Sequence, residues 1–388
     1  MRAAELHLKD ALDWGSREVI LAGNGQSIEA SLASDLGVIP DLFSSVQGCR
    51  RPLWLAFRRE YPLTVSVDAV RLSSFAAKIS ARLDQTARDA RLSFGEGDQV
   101  VVLSDEPGWS LDSTKFAAMF LGAERFFEIP NAIDLPFIET PPAVCARDLE
   151  MYLPFERVAV FRTYYVDGNN RAHNISLACS PLSEVTVGPG QTFSFNQTVG
   201  PRSMERGYRK APVFVGDETV DDFGGGVCQI STTLYISMLK AGFDVAERYC
   251  HAKPVVYVPM GFDATVSYDY LDLRMSNPGD APCLVRAIAK NGELTAEVFG
   301  RPLPDLRIEV ESRVLKELPA EGNVEGPPAL GPGTGEGAAG GEGSGVVKPK
   351  LRSGFLVETV RKWVRGGQLE RVERLDTSMY PAEKPKTR

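Results

Sequence analysis

The stretch GGGVCQISTTLYISMLKAGFDVAERYCHAKPVVYVPMGFDATV, residues 224–266, decides how this chain is read. Three glycines lead into Cys228, and Ile230, Leu234 and Met238 then recur at helical spacing. A helix is expected from Cys228 to just before Gly242, with the cysteine in its first turn. Unpaired backbone N–H groups and the helix dipole favour negative charge there. A thiolate is therefore stabilised, and its pKa falls below the free value of about 8.5. The same amides suit the oxyanion of an acyl transfer. Gly226 and Gln229, on either side of the cysteine, are candidate substrate contacts.

A nucleophilic cysteine needs a base and a group that orients the base. The chain has 3 histidines. His7 lies in a terminal helix-like stretch and His173 ahead of an expected helix. His251 follows the Cys228 helix, at the start of a strand expected over 255–258, and Asp263 goes with the next strand, over 265–270. The order Cys on a helix, His at a strand start and Asp on the next strand parallels transglutaminase-like and papain-like cysteine enzymes as an analogy of fold. Plainer roles exist for all three: a buried inert thiol, a strand-edge histidine and a turn-capping aspartate. The glycines could also form an anion nest, although the Walker spacing and its lysine are missing. Cys228, Cys250, His251 and Asp263 lack zinc spacing, so neither a metal nor another cofactor is expected.

A second polar cluster holds Asn196 in Phe193-Ser194-Phe195-Asn196-Gln197 and Arg202 after Gly200-Pro201. Both stand in turn-like contexts. The forked donors of Arg202 suit a carboxylate or phosphate. Capping a turn is the simpler role for Asn196, and Tyr257 joins the candidate substrate contacts.

The chain has 388 residues, 43% hydrophobic and 24% charged, which suits two or three folded domains. A net charge of −8 argues against nucleic acid as the main partner. No run of about 18 apolar residues offers a transmembrane helix. Residues 1–20 carry charges throughout and show no apolar signal core, which leaves a cytoplasmic location open. Cys49, Cys145, Cys179, Cys228, Cys250 and Cys283 are dispersed and form no C-x-x-C.

Five segments follow. Residues 1–66 form a strand and helix segment, with an Asn24-Gly25 hairpin and a helix from Pro40-Asp41 through 46. Residues 67–142 form a small α+β module. Its first helix is capped by Ser73 or Ser74, a strand covers 99–103, and a second helix over 114–123 is capped by Ser110 or Asp112. Its proline-rich end, 130–142, reads as a linker. Residues 150–305 are the densest, with the Cys228 helix packed on a mainly antiparallel sheet. Residues 306–348 read as a Gly/Pro-rich linker. Residues 349–388 read as a basic hairpin around Gly366-Gly367, either simply solvated or drawn to an anionic polymer. The fold class is α+β.

The ordered words HNISLA from His173, FSFNQTVGPR from Phe193, RGYRKAPV from Arg206, GGGVCQISTTLY from Gly224 and PVVYVPMGFDATV from Pro254 resemble the VanW family. The likeness covers about residues 163–300. Residues 67–140 resemble, more weakly, the peptidoglycan-binding domain found ahead of VanW domains. The resemblance implies a bacterial cell-envelope protein, peptidoglycan or cell-wall peptide as partner, and an association with glycopeptide resistance. It implies no reaction. Cysteine-dependent acyl transfer or amide hydrolysis on cell-wall peptide, by Cys228, His251 and Asp263, is therefore read from the residues alone. A non-catalytic wall-binding or scaffold protein is the alternative.

Overall fold

The computed structural model describes residues 17–41, 65–121, 129–215, 218–320 and 351–384. His7, Cys49, the helix expected up to residue 46 and the glycine-rich stretch 321–345 lie outside them. The chain divides into two compact units, residues 1–91 with 103–148, and residues 92–102 with 149–388.

The first half contains β1 (Glu18–Gly23), β2 (Gln26–Ser31), β3 (Val38–Pro40), β4 (Val65–Val67) and α1 (Ala69–Leu83). Next come β5 (Arg91–Phe94), β6 (Val100–Leu103), β7 (Gly108–Leu111), α2 (Ser113–Leu121), β8 (Ala132–Asp134), β9 (Phe137–Thr140) and α3 (Ala146–Glu150). The expected β1–β2 hairpin turns on Asn24 and Gly25, at φ 51° and 72°. Asp68, not Ser73 or Ser74, caps α1: its carboxylate accepts from the Val70 and Arg71 amides at 3.0 and 3.1 Å. Asp112 caps α2 as expected, accepting from Lys115 N–H at 3.0 Å. The 130–142 stretch is not a linker. Its prolines flank two short strands, β8 beside β1 and β9 beside β7. Val19, Leu21, Leu72, Ile79, Phe116, Phe120 and Ile133 share one core, so the segments before and after residue 67 fold together.

The second half contains β10 (Glu156–Tyr164), α4 (Asn170–Cys179), β11 (Val185–Val187), β12 (Thr192–Ser194), α5 (Phe195–Val199), β13 (Lys210–Val215) and β14 (Glu218–Phe223). Then follow α6 (Val227–Lys240), β15 (Asp244–Glu247), β16 (Arg274–Ser276), β17 (Cys283–Lys290) and β18 (Glu293–Gly300). The last three are β19 (Leu306–Leu318), β20 (Gly354–Arg365) and β21 (Gln368–Tyr380). The main sheet, ordered β10–β18–β17–β11, is antiparallel throughout. The helix α6 packs on β10 and β18, as the sequence predicts. It is buried on every side rather than on one stripe. Its hydroxyls make this affordable in the interior: Ser237 donates to the Ala296 carbonyl at 3.0 Å, and Thr233 meets Thr163 at 2.9 Å.

Two expectations fail here. Residues 255–258 and 265–270 form no named strands. Residues 306–318 are not linker but β19, where Leu306, Ile308 and Val310 alternate with charged residues. β19 pairs with β20, and β20 with β21, the hairpin expected at Gly366-Gly367. Arg361 on β20 fixes this sheet to the core. Fully buried, it donates to the Phe243 carbonyl at 2.6 Å and to Asp244 and Glu373 at 3.2 and 2.8 Å. Arg361→Ala is expected to lower unfolding stability by about 3 kcal/mol, read by urea titration, because a buried carbonyl and a carboxylate lose their partner.

Candidate active site

The approach to Cys228 is built by glycine. Gly226, the N-cap of α6, has φ 108°, a conformation that side-chain-bearing residues rarely adopt. A Cβ on Gly225 would stand 2.6 Å from the Ala211 carbonyl oxygen, so only glycine passes there. Asn174, on α4, holds this loop: it donates to the Arg209 and Gly225 carbonyls at 2.8 and 3.1 Å and accepts from Arg209 N–H at 2.8 Å. Val227 and Gln229 spend their amides on the Gly224 and Gly226 carbonyls, at 3.1 and 3.0 Å. The Cys228 N–H meets no backbone acceptor among the described residues.

Cys228 thus lies in the first turn of α6, partly exposed. Its sulfur is 3.4 Å from the Val266 carbonyl and hydrogen-bonds the His251 ring. The other ring atom, His251 Nδ1, lies 2.7 Å from Asp263 Oδ2, which also accepts the His251 N–H at 2.6 Å. With Nδ1 spent on the carboxylate, Nε2 is the atom left for the thiol. The three predicted residues therefore form one chain: sulfur, imidazole, carboxylate.

His251 and Asp263 do not lie on strands as expected. They belong to an irregular segment between β15 and β16, punctuated by Pro254 and Pro259, whose backbone is held by side chains instead of a ladder. Arg248 donates to the Asp263 carbonyl through Nε at 2.8 Å and Nη2 at 2.5 Å, and to the Gly261 carbonyl at 3.2 Å. Thr359 donates to the Gly261 carbonyl at 3.0 Å, and Gly261 N–H donates to the Tyr380 hydroxyl at 2.7 Å. Thr232, on α6, accepts from Ala264 N–H at 3.0 Å. The Asp263 carboxylate is buried and gathers His251, Arg248 at 3.4 Å and the Tyr380 hydroxyl.

Sequence reasoning missed Arg248 and Tyr380. Arg248 stands three residues before His251, where a charged side chain in a buried stretch was the available signal. Nothing in the local sequence pointed to Tyr380 on β21.

These contacts set the charges. Burial pushes the Cys228 thiol up, but the hydrogen bond and charge of His251, with the Val266 backbone and Arg202, bring it below the ordinary value. Burial pushes His251 down, and its bonds to Asp263 and Cys228 more than offset that, raising it to about 9. Asp263 is raised by burial and lowered further by His251, Tyr380 and Arg248, so it stays ionised. The same contacts favour a thiolate beside an imidazolium, held by a carboxylate.

The predicted substrate contacts separate. Gln229 is buried and fully engaged: it donates to Thr163 and to the Tyr164 carbonyl, both at 2.9 Å, and accepts from Arg171 at 2.7 Å. It fixes α6 to β10 rather than facing a ligand. Asn196 takes the simpler role, donating to the Ser267 and Leu271 carbonyls at 3.3 and 2.9 Å. Tyr257 hydrogen-bonds Thr232 near Cys228, and burial raises its hydroxyl pKa. Arg202 and Gly226 border the cysteine loop. Cys250 points elsewhere, its sulfur 3.7 Å from the Met379 carbonyl, and His173 contacts the Gly207 carbonyl at 3.0 Å.

Residues 170–299 match the family described as "VanW like protein", and residues 36–123 match the one described as "Putative peptidoglycan binding domain". The uncharacterized protein YoaR of Bacillus subtilis (strain 168) is 31% identical over 270 residues, 69% of this chain and 87% of its own. Vancomycin B-type resistance protein VanW of Enterococcus faecalis (strain ATCC 700802 / V583) is 23% identical over 160 residues, 40% of this chain and 58% of its own. No solved structure matches the chain. This chain belongs to the VanW family, in the YoaR-like form that joins the two domains.

Asp263→Asn removes the charge that holds the imidazolium. His251, now at about 9, is expected to fall toward the ordinary value of about 6.5. The upper edge of the pH window in which thiolate and imidazolium coexist falls with it, and an imidazole NMR titration reads the shift.

Proposed function

We propose that this chain is a cell-envelope protein in which Cys228 attacks an amide of cell-wall peptide, in acyl transfer or hydrolysis. The carrying observation is the thiol of a half-buried cysteine at a helix start, bonded to an imidazole whose other nitrogen is fixed by a buried carboxylate. The peptidoglycan-binding match over residues 36–123 and the likeness to a vancomycin-resistance protein support the envelope setting.

The thiolate adds to the amide carbon, and the carbonyl electron pair moves to oxygen, to which the Cys228 N–H can donate a hydrogen bond. Collapse breaks the C–N bond, and the leaving amine takes the imidazolium proton. A thioester remains. Water or a second amine then attacks it, His251 accepts the incoming proton, and the thiolate leaves. Asp263 holds the ring and its charge throughout. Arg248 and Tyr380 act through Asp263 and are positioning residues.

A second reading has one observation of its own: the peptidoglycan-binding match lies away from Cys228 in sequence. A non-catalytic wall-binding protein would need that region alone. Incubation with defined muropeptides, followed by mass spectrometry, separates the two. Catalysis predicts a cleaved or exchanged amide that Cys228→Ala abolishes, a loss on the order of 10³-fold or more. Pelleting with insoluble peptidoglycan, unchanged by Cys228→Ala and with no product formed, supports adhesion alone.

A further inference from the structure

Two arginine side chains border the loop that delivers Cys228, touching it through their stems. A Cβ on Gly226 would stand 2.9 Å from Arg171 Cγ, and one on Gly224 would stand 2.8 Å from Arg202 Cβ. Arg171 donates through Nη2 to Gln229, the residue after Cys228, at 2.7 Å. Arg202 donates through Nη1 to Asn196 at 2.7 Å, and its Nη2 is buried without an acceptor. The rings of Phe195 and of Tyr268, an exposed residue, lie 5.3 and 5.8 Å from the Arg202 guanidinium carbon.

What sets these two apart is the lack of a directly paired carboxylate; the acidic groups that act on them include Cys228 and, for Arg202, Asp272 at longer range. The other enclosed arginines of this unit are paired: Arg248 with Asp263 and Asp376, Arg286 with Asp98 and Glu297, Arg361 with Asp244 and Glu373. Among the described residues Arg171 and Arg202 have no carboxylate within ion-pair distance. Burial lowers the pKa of both, the cost of holding a cation out of water. Arg171 also stands in the first turn of α4, where the dipole disfavours a cation and no acidic residue offsets it. Two half-buried cations without a directly paired carboxylate, one of them with a guanidinium nitrogen lacking any acceptor, suit an incoming anion.

We infer that Arg171 and Arg202 form a carboxylate subsite beside Cys228, so that the substrate is a peptide carrying a free carboxylate next to the amide under attack. The inference rests on the nucleophile reading above and narrows its substrate class. The planar forks of the two guanidiniums fit a carboxylate, and fixing it there orients the neighbouring carbonyl over the sulfur. Neither arginine takes or gives a proton in the reaction.

Alkylation tests this without a known substrate. Iodoacetate and iodoacetamide deliver the same reaction to Cys228 and differ in one carboxylate. The full chain is treated with each near pH 6.5, and modification of the Cys228 peptide is followed by mass spectrometry. The iodoacetate-to-iodoacetamide rate ratio at Cys228 should exceed that of free cysteine by roughly tenfold, and should decline with added salt. Arg171→Gln and Arg202→Gln should each lower the ratio by at least about threefold, and Arg171→Lys should restore part of it. Thermal melts accompany each variant, and because the readout is a ratio on one thiol, a general loss of reactivity does not mimic the effect. A fast-reacting Cys228 with the ratio of free cysteine, unmoved by the substitutions, overturns the carboxylate subsite alone. A Cys228 slower than free cysteine toward both reagents overturns the nucleophile reading and this inference with it.

Discussion

The buried carboxylate of Asp263 is the constraint on which the site depends. Taking a carboxylate out of water costs several kcal/mol unless donors surround it. Here one oxygen takes the His251 amide and ring, and the other takes Tyr380 and Arg248. Those donors come from two separate parts of the chain, residues 248–251 and β21. Meeting them fixes the irregular segment, and fixing that segment aims the imidazole at Cys228. The geometry of the Cys228–His251–Asp263 chain and the packing of this unit are thus the same set of hydrogen bonds.

The C-terminal sheet is part of that arrangement. The VanW match ends at residue 299, yet Thr359 and Tyr380 hold the Gly261 backbone and the carboxylate, and Asp376 and Ser378 take Arg248 at 2.9 and 2.6 Å. Several of its basic residues enter cross-strand ion pairs, among them Arg313 with Glu358 and Lys362 with Glu311, each at 2.6 Å. In this unit β19–β21 brace the site as well as presenting a surface.

Much of the site was legible because its signals are local. Glycines that no other residue can replace, followed by a 3.6-residue period, put Cys228 at a helix start, and few histidines left little choice of partner for it. The α+β class followed from mixed periodicities. What was not legible depends on distance. The stretches around Val255 and Val266 have β-rich composition, but Thr232, Arg248, Thr359 and Tyr380 supply the partners their backbone would otherwise find in a ladder. Gln229 reads as a substrate contact because it stands next to Cys228, when it is a satisfied buried amide. β19 was hidden by the glycine-rich sequence that follows it.

The proposed function stands on a Cys228 thiol that ionises below the free value because His251, held by Asp263, takes up its proton. Following the Cys228 β-carbon shift of selectively labelled protein against pH, in the native chain and in His251→Ala, tests it most directly. The account predicts a thiol that ionises well below the free value of about 8.5, and that moves up to or above that value when the imidazole is removed. A native Cys228 that titrates at or above the free value, indifferent to His251, would contradict it.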